Sequence, residues 1–136
     1  MRTMLTAYGA TALVFLVLDG IWLTTMVDRL YRPGIGHLMA ERPNIAAAVA
    51  FYFLYVLGVV VFAVMPAVRA QDWTMALGLG ALLGLVAYGT YDLTNLATLK
   101  DWSVRVSLID MAWGAVVTAS AATGGMLAAS WMSRGA

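Results

Sequence analysis

The sequence contains no cysteine and, among its 136 residues, a single histidine, His37. Without thiols there is no disulfide scaffold, no thiolate metal site and no cysteine nucleophile. One imidazole per chain excludes a zinc centre built from several histidines. Charge is scarce as well: Asp, Glu, Lys and Arg together make up 11% of the chain, against about 25% in ordinary soluble domains. The eight bases and seven acids nearly cancel, to +1, which leaves no cationic face for nucleic acid. Neither a Walker loop nor a Rossmann glycine fingerprint is present. Proline occurs three times, at positions 33, 43 and 66, so long uninterrupted helices are available to it.

What is abundant is apolar. Hydrophobic residues form 62% of the chain and the mean hydropathy is +0.85. So little charge cannot give a folded chain of this length a water-compatible surface, and the lipid bilayer is its expected surroundings. Four stretches, 4–26, 44–65, 74–99 and 103–131, are each long enough at 1.5 Å per residue to cross about 30 Å of hydrocarbon. The predicted architecture is all-α: a single four-helix transmembrane domain over 1–136, with one long loop at 27–43. Pro43 suits a first helical turn, and Pro66 is expected to close the second span. The loop carries Leu30, Tyr31, Ile35, Leu38 and Met39, and is therefore expected to lie along the interface or fold over the end of the bundle.

Arg29, Arg32, Arg42, Lys100 and Arg105 flank the first and third connections, and Arg2, Arg69 and Arg134 lie at the other end. By the positive-inside rule both termini face away from the cytoplasm. Trp22 and Trp102 at one end, with Trp73 and Trp131 at the other, are placed as interfacial belts, whereas Trp113 lies deep. Small residues mark close helix packing: Gly80 and Gly84 form a G-x-x-x-G, and the fourth span carries Gly114, Thr118, Ala119, Ala122 and Gly125. These faces serve packing within the chain or a homo-oligomer contact.

Three carboxylates, Asp19, Asp92 and Asp110, fall inside predicted spans, where each costs about 2.5–3.5 kcal/mol near a helix centre. Each lies seven residues from a span end, so all three sit ~10 Å below the surface that bears the first and third connections. At helical spacing Tyr88, Asp92 and Asn95 share a face, with Tyr91 beside it; Asp19 pairs with Trp22, and Asp110 with Trp113. Turned inward, these residues predict a ligand-binding pocket of acids walled by aromatics. No Lys or Arg lies deep in a span, so the pocket needs a proton, water, a metal ion or a cationic group. Any metal site would use Asp19, Asp92 and Asp110. No cofactor is otherwise evident beyond such a divalent cation. His37 and Glu41, four apart in the loop, are a candidate lid, and Asn44, Tyr52 and Tyr55 are candidates to complete the wall.

The run Tyr91-Asp92-Leu93-Thr94-Asn95-Leu96-Ala97-Thr98-Leu99-Lys100, followed by Asp101-Trp102, resembles the signature of a family of small bacterial predicted membrane proteins grouped as a domain of unknown function. Leu18-Asp19 with Trp22, the 31–36 segment and Asp110-Met111-Ala112-Trp113-Gly114 extend the likeness over most of the chain. The resemblance implies a bacterial inner-membrane location and these positions as a shared core; it implies no reaction. From the residues, binding or transport of a cation, proton or polar lipid headgroup is expected. A membrane-embedded enzyme acting on lipid or isoprenoid and an accessory subunit of a larger membrane complex are the alternatives.

Overall fold

A computed structural model describes residues 1–135. Four helices long and apolar enough to span a bilayer make up the molecule: α1 (Arg2–Leu38), α2 (Ile45–Ala70), α3 (Trp73–Thr98) and α4 (Val104–Gly135). There is no strand among the described residues. Three helices start on side-chain caps. Asn44 Oδ1 accepts from Ala47 N (3.1 Å), Asp72 Oδ1 from Thr74 N (2.9 Å) and Ser103 Oγ from Val106 N (3.1 Å), each satisfying an amide that the first turn leaves open. Hydrogen bonds from the Thr74 hydroxyl and amide hold the Asp72 carboxyl, in the turn outside the spans, below the usual carboxylate range. Left-handed backbone at Gln71 (φ 51°) ends α2, and at Asp101 (φ 61°) it turns the chain between α3 and α4.

Two expectations about helix ends are corrected. The segment expected as a loop at 27–43 is helical as far as Leu38, and α2 runs through Pro66 to Ala70. Both helices pass a proline by the same device. Arg32 N–H bonds to Val27 O, and Met65 N–H to Val60 O. These are five-residue steps, each completed one residue before Pro33 or Pro66. A proline inside a regular α-helix loses its amide bond and strikes the carbonyl four residues back. The wider π turn inserts a residue there and lets the helix continue.

The prolonged end of α1 folds over the end of the bundle. Leu30 and Ile35 bury against Trp102 and Val106, and a Cβ on Gly34 would collide with the Val106 side chain. Trp102 is accordingly buried, with its N–H donated to Ser107 Oγ (2.9 Å), rather than placed in an interfacial belt. Trp73 and Trp131, at the other end, are exposed.

α4 is the central helix, packed along α3 and α1. At the α3–α4 contact Gly84 lies so close that a Cβ would strike the Gly114 carbonyl, and one on Gly80 would come within 2.9 Å of Ala119 Cα. Gly80 and Gly84 are therefore consumed inside the chain and are not a face for a second copy. In the bilayer, such close approach supplies the van der Waals contact that stands in for hydrophobic burial. α2 joins through Tyr55, Val59, Val60 and Val64, which meet Phe15 and Val117 in the main core. Its first turns, residues 45–51, are exposed.

Candidate functional site

The walls of a cavity of about 400 Å³ at the α1-extension end of the bundle are supplied by all four helices. Asp19, Tyr31 and Ile35 come from α1, Phe51 and Tyr52 from α2, Tyr88, Tyr91 and Asp92 from α3, and Val106 and Asp110 from α4. Four phenols and three carboxyls thus meet in one space, with no Lys or Arg among the described residues that line it. The nearby bases Arg29 and Arg105 belong to a separate surface pocket of about 190 Å³, on the other side of Val106.

Asp19 is tied down twice: it accepts from Tyr52 Oη (2.6 Å) through Oδ2 and from Trp113 Nε1 (3.1 Å) through Oδ1. Asp110 Oδ1 accepts from Tyr31 Oη (2.5 Å), which itself accepts from Trp22 Nε1 (2.9 Å). The two indoles stack, with ring centroids 4.4 Å apart and planes inclined by 5°. These bonds link α1, α2 and α4, so two of the three acids double as interhelical fasteners.

Asp92 differs. It is fully buried (0% exposed), and neither carboxyl oxygen has a hydrogen-bond partner among the described residues. The Asp110 carboxyl faces it from α4, close enough for a proton shared between the two acids to bond them. With both ionised, Asp92 carries an uncompensated desolvation cost, and the cavity is the space from which compensation can come.

The expected site residues are divided by the structure. Asp19, Tyr88, Tyr91, Asp92 and Asp110 line the cavity. Trp22 and Trp113 stand behind it as the stacked brace. Asn95, half-buried near the end of α3, is outside the lining. Of the wall candidates on α2, Tyr52 is in place, Tyr55 shares a hydrogen bond with Thr118 (2.8 Å), and Asn44 caps the helix. The His37–Glu41 lid is not formed: both are exposed and neither lines the cavity. The same segment instead contributes Tyr31 and Ile35, because it is helix rather than loop. Its ion pair is Arg32–Asp28 (2.8 Å), with both partners largely in solvent. Among the described residues, no three Asp, Glu or His side chains converge on a point that could hold a metal ion, so Asp19, Asp92 and Asp110 do not form a three-ligand centre.

Sequence reasoning missed Phe51 and Val106 as well as Tyr31 and Ile35 on the α1 extension. For the extension, the available signal was the alternation of Leu30, Tyr31, Ile35 and Leu38 at helical spacing on both sides of Pro33.

Comparison with curated proteins and with solved structures finds no match to either. A family model matches residues 4–127. That range holds every residue of the cavity, and the chain belongs to the family described as Predicted membrane protein (DUF2177).

Proposed function

We propose that the protein binds a cationic group, of the ammonium type, in the carboxyl–phenol cavity. The observation that carries this reading is Asp92: a fully buried carboxyl with both oxygens unpartnered, opposite a second acid and with no base on the cavity wall. An ammonium group, protonated or quaternary, meets the need of the cavity, since its positive charge lies against the Asp92 carboxyl and offsets that of Asp110. The rings of Tyr31, Tyr52, Tyr88 and Tyr91 offer faces that attract a cation. A proton shared between the two acids serves when no organic cation is bound. An anionic headgroup is repelled by the same carboxyls.

Binding is favoured over conduction because the cavity is confined to one end. Towards the bilayer centre the bundle is filled by Phe15, Tyr55, Val59 and Val117. The accessory-subunit reading draws on Asp19 and Asp110, whose bonds account for them as structural fasteners, but it leaves Asp92 without a role.

The test is calorimetric titration of the nanodisc-embedded protein with tetramethylammonium chloride, using sodium chloride as the ionic control. Saturable binding that weakens at least tenfold in Asp92→Asn is the expected result. Equal binding by the wild type and Asp92→Asn, or none by either, overturns the reading.

A further inference from the structure

The cavity adjoins a second space. Phe51 and Ala87 line it and also line an apolar groove of about 510 Å³ between α2 and α3. Leu54, Gly58, Phe62 and Leu83 are among the groove's other walls. The one polar side chain there, Tyr55, turns its hydroxyl to Thr118. Midway, α2 is cut back: a Cβ on Gly58 would meet nothing within 4 Å. Along α2 the groove runs from Phe51 to Phe62, eleven residues or roughly 16 Å. Beginning ~10 Å below the surface, it passes the centre of the bilayer.

Direction matters as much as size. Phe51 lies at the level of the acids, and Phe62 lies beyond the midpoint of α2 (Ile45–Ala70), so a polar cavity below the surface is followed by an apolar groove that descends past the bilayer centre. An amphiphile with its head below the interface and its chain reaching past the bilayer centre has the same polarity profile. Lipid chains cover any lipid-facing groove, but a phospholipid brings its phosphate with it, and three carboxyls at the head end disfavour that group. Phe51, on the wall that cavity and groove share, and Leu54, on the groove, are both exposed, so the groove faces the surrounding lipid.

We infer that the occupant is a cationic amphiphile: a long-chain ammonium compound that enters sideways from the leaflet, with its head among Asp19, Asp92 and Asp110 and a single alkyl or prenyl chain in the α2–α3 groove. This inference rests on the cation reading above and adds the tail.

The experiment compares tetramethylammonium with dodecyltrimethylammonium, each titrated into nanodiscs with and without the protein, so that partition into lipid is subtracted. The dodecyl compound binds at least tenfold more tightly. Gly58→Phe, which fills the groove, abolishes that advantage and leaves tetramethylammonium binding unchanged, whereas Asp92→Asn weakens both compounds. Leu54→Trp, on the exposed lip of the groove, is a second block should Gly58→Phe not fold, with folding checked by circular dichroism. If the two compounds bind equally, or both blocking variants keep the chain-length advantage, the tail lies in bulk lipid and the inference is overturned while the cation reading stands. If neither compound binds the wild type, both fall together.

Discussion

Trp22 and Trp113 lie face to face, 4.4 Å between centroids, and each turns its indole N–H towards a different acid. Trp113 donates to Asp19 directly; Trp22 reaches Asp110 through the Tyr31 hydroxyl. The pair therefore holds both acids, one from α1 and one from α4, in fixed relation. Aromatic pairs contribute about 0.5–1.5 kcal/mol beyond the area they bury. Trp113→Phe keeps a ring in the stack and removes one donor, so a loss of about 1 kcal/mol is expected in reversible detergent unfolding. Trp113→Ala removes ring and donor together and costs about 3 kcal/mol. In a double-mutant cycle with Trp22→Ala, coupling above about 0.5 kcal/mol is expected. Additive losses would show that the stack does not join the two acids.

The acids themselves should separate by role. Asp19 accepts from Tyr52 and Trp113, so Asp19→Leu strands two donors and destabilises the fold by about 1–3 kcal/mol. Asp92 has no tyrosine or tryptophan donor and faces only the Asp110 carboxyl, so Asp92→Leu removes a buried acid together with its repulsion of a second one. That variant is expected to unfold no earlier than the wild type, and even later, while it loses the tetramethylammonium site. Equal destabilisation by both substitutions would assign Asp92 to the scaffold.

Much of this arrangement is legible in the sequence. Hydropathy marks the four spans, and counting seven residues from each span end places the three acids at one depth. What hydropathy does not carry is the behaviour of the backbone at proline. Pro33, Gly34 and Gly36 have the composition of a loop, and only the π turn ahead of Pro33 reveals that α1 continues and delivers Tyr31 to Asp110. Asn95 shows the reverse error. Its spacing does put it on the face of Tyr88 and Asp92, but it lies about 4.5 Å further towards the end of α3, outside the residues that line the cavity.

Glycines on α3 give a paired control. Gly84 faces the Gly114 carbonyl, while a Cβ on Gly78 would meet nothing within 4 Å. Gly84→Leu must push α3 from α4, with an expected loss of about 2–3 kcal/mol and a disturbed cavity, since Tyr88 and Asp92 lie on the same helix. Gly78→Leu is expected to be neutral in unfolding and in ligand titration. A neutral Gly84→Leu would contradict the packing of these two helices.

The last prediction concerns orientation, and the absence of cysteine makes it simple to test. Five of the eight Lys and Arg residues, namely Arg29, Arg32, Arg42, Lys100 and Arg105, lie at the cavity end, which the positive-inside rule places in the cytoplasm. Exposed positions mark each end: His37 at the cavity end and Arg69 at the other. In intact bacterial cells whose outer membrane has been made permeable, a membrane-impermeant maleimide is expected to label Arg69→Cys and to spare His37→Cys until the inner membrane is broken. The cavity then opens from the cytoplasmic leaflet, and an amphiphile must be present in that leaflet to bind. The opposite labelling pattern would move the cavity to the outer leaflet and make the source of its ligand extracytoplasmic.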